Sequence, residues 1–353
     1  MEVPSSSPGQ TPLFSFGVIA DVQFADINDG FNFTGTNRRY YRSSLKLLYN
    51  ALRTWSQSTV RPTFILQLGD LIDGVNKRTG ASQRALDTVL AALRGRGPAQ
   101  ISRPGPFAEK QPQSMMLPPP CFTVHHVWGN HELYNFQRSE LLLSELNSAP
   151  QGHTAIPGIY AYLFRPMVGF VFVVLDGYDV SPLGREEHSE EYQSALRLLR
   201  QSNSKQDLNS PPPGTIYDMF SPRFTMFNGG FSQDQLDWLD HVLCRADQDQ
   251  DKVTIICHLP VHPLSTSRTC LAWNYEQLLA VIRAHTSVVC YMAGHDHDGG
   301  YCHDEETGVH YVTFEGVIET PPDSDAFSTV YVYRDRMVLE GRGRTPHREM
   351  VFP

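Results

Sequence analysis

Side chains able to hold a metal ion recur at the carboxyl ends of short apolar runs along this chain. The first run ends in "ADVQ", which places Asp21 and Gln23, and the second ends in "LGDLID", with Asp70 and Asp73. A third is followed by "GNHE" (Asn130, His131, Glu132), a later one by "CH" (His258), and another by "AGHDH" (His295, His297). A lone Asp after a strand usually serves a turn or a helix cap. A series of five is different, because ligands of open α/β sheets bind at the carboxyl ends of the strands. Carboxylates in apolar surroundings also require a counter-charge or a metal.

The elements that must position these residues are legible as pattern. Strands are predicted at 13–20, 63–69, 122–128, 169–175, 252–257, 288–293, 309–314, 328–333 and 336–340, from short runs rich in β-branched and aromatic residues. Between them, Tyr41, Leu45, Leu48, Tyr49, Leu52 and Trp55 share one helical face. Further helices are predicted over 82–94, 138–147, 189–200, from 232 (Ser232 and Gln235 at capping-box spacing), and over 274–285. Alternating strands and helices imply an α/β fold with a largely buried sheet, and the carboxyl-terminal strands imply an antiparallel section. The Pro-rich stretches 95–120 and 201–214 lack periodicity and read as mobile surface insertions in a single domain spanning 1–353.

Composition narrows the partners. A formal net charge of −9 with no Lys/Arg run argues against nucleic acid or an anionic membrane surface. The six cysteines show no Cys-x-x-Cys spacing and read as reduced, buried thiols. The amino terminus lacks a basic and an apolar signal region, and the longest apolar run, "FVFVVL", is too short to span a bilayer. The expectation is a soluble, cytoplasmic protein, acting as a monomer.

The ordered set D-x-Q, GD-x-x-D, GNHE, H and GH-x-H resembles the calcineurin-like metallophosphoesterases, over about residues 14–320. That resemblance implies a four-layer α/β/β/α sandwich with two mixed sheets and a pair of metal ions. One ion would be held by Asp21, Gln23, Asp70 and His297, the other by Asp70, Asn130, His258 and His295, with Asp70 and a hydroxide nucleophile bridging. His131 would face the substrate, protonating the leaving oxygen or stabilising phosphoryl charge, and Asp73 would accept its other ring N–H. Glu132 reads as a structural tie for its loop. His125 and His126, adjacent on a strand, read as packing residues on opposite faces.

Most of the family has D-x-H at the first position. The D-x-Q form, with "GDLIDG" and "GHDHDGGY", is similar to one branch, which uses manganese to cut ADP-ribose and CDP-alcohols. An amide oxygen at Gln23 and the absence of thiolates suit hard ions, Mn²⁺ first and Mg²⁺ as the alternative. The implied reaction cleaves a diphosphate: ADP-ribose to AMP and ribose 5-phosphate, CDP-choline or CDP-glycerol to CMP and a phospho-alcohol, with cyclic ADP-ribose as a further substrate. Phe33, Arg39 and Cys270, in the loops after the ligand-bearing strands, are the candidate substrate contacts, through base stacking and phosphate pairing. Phe31 and Phe33 could equally pack beneath their own loop. Rival readings are a cyclic-nucleotide phosphodiesterase on the same fold and a non-catalytic scaffold.

Overall fold

A computed structural model describes residues 11–32, 34–95, 122–215 and 218–353. Its strands are β1 (Phe14–Ile19), β2 (Gly30–Phe31), β3 (Arg38–Arg39), β4 (Phe64–Gln67), β5 (Thr123–His126), β6 (Tyr162–Met167) and β7 (Phe170–Val174). They continue with β8 (Lys252–Ile256), β9 (Val288–Ala293), β10 (Gly300–His303), β11 (His310–Thr313), β12 (Ala326–Val332), β13 (Arg336–Gly343) and β14 (Arg348–Val351). One six-stranded sheet has the order β14-β13-β12-β1-β4-β5, and the other β10-β11-β9-β8-β7-β6. β1, β4 and β5 run parallel while β12 to β14 are antiparallel, as the carboxyl-terminal pattern implied. In the second sheet β7, β8, β9 and β11 are parallel, with antiparallel β6 and β10 at the edges.

Alternation along β1 explains how four layers stack. Phe14 and Phe16 point toward the second sheet, where Phe16 meets Phe172 edge-on at 5.3 Å and Phe64 meets Phe172 at 5.3 Å. Gly17 points the other way, beneath Trp55 of helix Ser43–Gln57; an added Cβ would lie 2.6 Å from the indole. That helix covers the outer face of the first sheet. Helix Gln233–Asp249 contacts β8 and lies beside helix Tyr275–Arg283 on the second sheet. Edge-to-face aromatic pairs add about 0.5–1.5 kcal/mol each beyond area burial, so the seam between the sheets is a major source of stability.

Three local features depart from the sequence pattern. The helix expected over 138–147 ends at Leu142, and a separate short helix, Asn130–Asn135, precedes it, so the GNHE motif opens a helix. Strands β6, β10 and β14 were not apparent because edge strands carry less of the apolar signal. The stretch 201–214 is not a loose insertion: Leu208 is buried with Leu199 and Trp273, and Asn203 donates to the carbonyls of Ser210 and Phe224. The stretch 96–120 lies outside the described residues. Among the described residues no helix is long and apolar enough to cross a membrane.

Candidate metal centre

Register brings the motif residues together. Ile19 of β1 pairs with Gln67 of β4, and Gln67 with His126 of β5, so the three chains leave the first sheet side by side. The exits are stitched by Asp21 N–H to the Gly69 carbonyl (3.1 Å) and Gln23 N–H to the Asp70 carbonyl (2.8 Å). From the second sheet, Gly294 N–H donates to the His258 carbonyl at 3.1 Å. Asp21, Gln23, Asp70 and His295 all have positive φ, between 42° and 71°. Non-glycine residues adopt this region at a cost and concentrate there at functional sites. Gly129 has no alternative, because any side chain there would run into the Asp70 carboxylate and the His258 ring.

Each histidine offers one nitrogen to the centre because its other nitrogen is committed. His258 Nδ1 donates to the Leu68 carbonyl at 2.7 Å, leaving Nε2 3.5 Å from Asp70 Oδ2. His295 Nε2 donates to Asn228 Oδ1 at 2.7 Å, leaving Nδ1 3.1 Å from His258 Nε2. His297 Nδ1 donates to Glu319 Oε1 at 2.9 Å, leaving Nε2 3.3 Å from Asp21 Oδ1 and 3.0 Å from the Gln23 amide. A partner on the far nitrogen fixes the tautomer and ring angle of a metal-binding imidazole. Asn130 is buried at the same rim, with Oδ1 accepting from Tyr178 OH at 3.1 Å.

The acidic groups are held under tension without a cation. Asp21, Asp70 and His258 offer ligand atoms within 4.8 Å of one another, all buried. Burial, then the charge of Asp21, pushes the Asp70 carboxyl well above the usual range. Gln23 turns its amide nitrogen toward Asp70 Oδ2 (3.0 Å) and His297, while its Oε1 is buried without a partner. Amide oxygen and nitrogen are interchanged by a half-turn. A cation between Asp70 and His297 would take the oxygen on the near side and relieve both the orphan and the carboxylate repulsion. Neutral imidazoles, carboxylates and amide oxygens form a donor set suited to Mn²⁺. Glu132 ties the rim down by accepting the backbone N–H groups of Asp70 (2.8 Å), Leu71 (2.6 Å) and Gly129 (2.8 Å).

His131 is oriented differently from the sequence expectation. Its Nδ1 accepts the Gly74 N–H at 2.8 Å, so it has no proton to give Asp73, whose Oδ2 lies 3.4 Å away. Asp73 instead accepts from Val75 N–H at 2.8 Å, just ahead of helix Val75–Arg78, and from Arg39 Nη1 at 3.4 Å. The ring proton therefore sits on Nε2, 3.8 Å from Asp70 Oδ2. Burial lowers the imidazole to about 4.

Gln23, Asp70, Asn130, His131, His295 and His297 floor a cleft of about 470 Å³. Arg39 and Cys270 line it, whereas Phe33 lies outside the described residues and Phe31 is 62% exposed, neither lining the cleft nor packed beneath its loop. Asn209 and Pro211, from the stretch expected to be a mobile insertion, also line it. Asn228 and Glu319 were missed as well. Neither ends an apolar run nor belongs to a spaced motif, so nothing local distinguishes them.

The family model for calcineurin-like phosphoesterases matches residues 14–299. The chain belongs to this family. It is 50% identical over 343 residues to the manganese-dependent ADP-ribose/CDP-alcohol diphosphatase of Danio rerio, covering 95% of this chain and 97% of that one. The human protein of the same name is 46% identical over 348 residues, covering 96% and 93%. A crystal structure of a dimetal phosphatase from Danio rerio superposes with a TM-score of 0.86 at 49% identity, covering 97% of this phosphoesterase and all of that chain.

Proposed function

We propose that this phosphoesterase uses two Mn²⁺ ions to hydrolyse the diphosphate of nucleoside diphosphate conjugates. ADP-ribose would yield AMP and ribose 5-phosphate, and CDP-choline or CDP-glycerol would yield CMP and a phospho-alcohol; cyclic ADP-ribose is a further candidate substrate. The observation that carries this reading is near-full-length similarity to diphosphatases of that name, at 36–50% identity. It is supported by donors that converge at one cleft, five of them in its lining and Asp21 and His258 buried against Asp70 behind it.

Asp21, Gln23, Asp70 and His297 would hold one ion, and Asp70, Asn130, His258 and His295 the other. Bound there, the ions would lower the pKa of water and neutralise charge on the phosphoryl group. The protein's own contribution is positional. His131 presents Nε2–H into the cleft as a hydrogen-bond donor to a phosphoryl or leaving-group oxygen, a role its orientation by Gly74 favours over that of an imidazolium acid. Arg39 is the one Arg or Lys among the described lining residues, and would pair with the second phosphate. A cleft so poor in cations leaves most of the substrate's charge to the metals.

The test is product analysis with ADP-ribose, CDP-choline, CDP-glycerol, cyclic ADP-ribose and cyclic AMP, with Mn²⁺ and again with Mg²⁺. AMP and CMP release favouring Mn²⁺ is expected. Cyclic AMP cleaved faster than every diphosphate would reassign the enzyme to the phosphodiesterase reading. The protein acts as a cytoplasmic monomer in this proposal, which light scattering and cell fractionation would check.

A further inference from the structure

Glu319 accepts from both sides of the site. Its side chain is 5% exposed, with Oε1 2.9 Å from His297 Nδ1 and 3.6 Å from Arg39 Nε. Its Oε2 accepts from Asn37 Nδ2 at 2.8 Å. His297 turns its other nitrogen to the metal position, and Arg39 and Asn37 line the cleft. The main chain fixes the carboxylate between them: Ile318 N–H donates to the Asp21 carbonyl at 2.9 Å, and Tyr40 N–H to the Ile318 carbonyl at 2.8 Å. Arg39 Nε is buried and lacks a hydrogen-bond partner, and the guanidinium is restrained by the hydrogen bond that Nη1 donates to Asp73 Oδ2 (3.4 Å) and by charge attraction to Glu319.

Resting on the two-metal reading above, we propose that Glu319 is a positioning residue serving both halves of the reaction. Its one carboxylate sets the metal-facing nitrogen of His297 and the phosphate-facing guanidinium of Arg39. The other histidine donors rest on neutral oxygens, the Leu68 carbonyl and the Asn228 amide. Of the three imidazoles, only that of His297 is backed by a charge. A carboxylate behind an imidazole raises its basicity as a ligand. The same negative charge joins that of Asp73 in balancing Arg39, a partly buried cation that would otherwise face the metal pair with one carboxylate fewer.

The experiment compares wild type, Glu319→Ala and Glu319→Gln by Mn²⁺ binding calorimetry without substrate, and by KM for ADP-ribose at saturating Mn²⁺. Glu319→Ala should weaken one of the two Mn²⁺ ions by about 10–100-fold, the usual effect of losing such a partner. It should also raise KM by about tenfold, because Arg39 loses a restraint and must be ordered on binding. Glu319→Gln keeps an oxygen for His297 but no charge for Arg39. Its Mn²⁺ affinity should fall by less than ~10-fold, while its KM rises as in Glu319→Ala. A residue that merely supports the fold would not separate the two readouts. Wild-type isotherm and KM in Glu319→Ala, or a wild-type KM in Glu319→Gln, would overturn the assignment. A wild-type protein that failed to bind two Mn²⁺ ions would instead sink the two-metal reading and this inference with it.

Discussion

Two closely spaced histidine pairs leave neighbouring regions of this fold with opposite properties. In β5, His125 lies flat on Phe164, ring centroids 3.6 Å apart, with Tyr162 OH 3.1 Å from Nδ1, and His126 lies 3.2 Å from Gln67 Oε1. Burial lowers His125 to about 4 and His126 to about 3, and no carboxylate offsets it for either. After β9, His295 and His297 are partly buried, and each has a fixed partner behind it; the free nitrogen of His297 faces Asp21, and that of His295 faces His258. There Asp21 and Glu319 oppose burial and hold His297 up at about 10 in the metal-free protein. The sequence already set the pairs apart, since only His295 and His297 belong to the ordered motif set. What separates them is whether buried negative charge stands in the cluster: Asp21 lies against His297, and Asp70 against the His258 ring that His295 faces. The first pair fills space, and the second stands beside the buried carboxylate of Asp21.

The sharpest way to break that contrast is to remove the charge at its centre. Asp70→Ala takes a carboxylate from both metal positions. Turnover should fall by at least ~10³-fold, and metal analysis should find fewer than two Mn²⁺ per chain. The aromatic seam, untouched, should keep the protein folded. Near-normal turnover would end the two-metal assignment.

His131→Ala removes a donor at the rim and no metal ligand. The expected loss is about 10²–10⁴-fold in kcat, the range for a positioned proton donor or acceptor. Mn²⁺ stoichiometry should stay at two. Loss of metal in this variant would place His131 among the ligands.

Gln23→His sharpens the comparison by making the rim more like the rest of the family. Both side chains are neutral, so only donor type and reach change. Activity across Mn²⁺, Mg²⁺, Co²⁺ and Zn²⁺ should shift toward nitrogen-preferring ions. Turnover with Mn²⁺ should drop by up to ~10²-fold if the ring misplaces the ion by ~1 Å. Superimposable metal profiles would mean that Gln23 does not set the preference.

The smallest effect belongs to the packed pair. His125 and His126 stay neutral in the fold until pH falls to about 4 and about 3, whereas in the unfolded chain they protonate below about 6.5. The unfolded state therefore binds more protons between those values, and stability declines as pH drops through that window. Each histidine contributes up to about 1.4 kcal/mol per pH unit there. Chemical denaturation of metal-free protein from pH 7 to 4 would show it, and His125→Phe should flatten the slope. An unchanged slope would mean that His125 is not the buried neutral group described.

Much of the site was legible because its residues stand at strand ends, where apolar run and polar ligand adjoin in sequence. Asp21, Gln23, Asp70, Asn130, His258, His295 and His297 all reach the rim for that reason. The supporting groups were not legible. Glu319 and Asn228 act on histidines 22 and 67 residues away, and no local pattern encodes a hydrogen bond across that span. Nor did the GD-x-x-D spacing disclose that Gly74, not Asp73, sets the His131 tautomer. The Pro-rich stretch 201–214 misled in the other direction: its composition suggests a loose loop, but Leu208 finds a core made by Leu199 and Trp273.

The sequence by itself determined which residue types the chemistry would have, in what order, and that they would leave parallel strands on one side of a sheet. Side-chain alternation and strand-end placement are local properties, written in neighbouring residues. Only the tertiary structure decided which nitrogen of each histidine is free, which backbone positions are forced to positive φ, and that one carboxylate, Glu319, stands between His297 and Arg39. Those outcomes depend on atoms brought within about 3 Å by the packing of two sheets, and burial gives such contacts their strength.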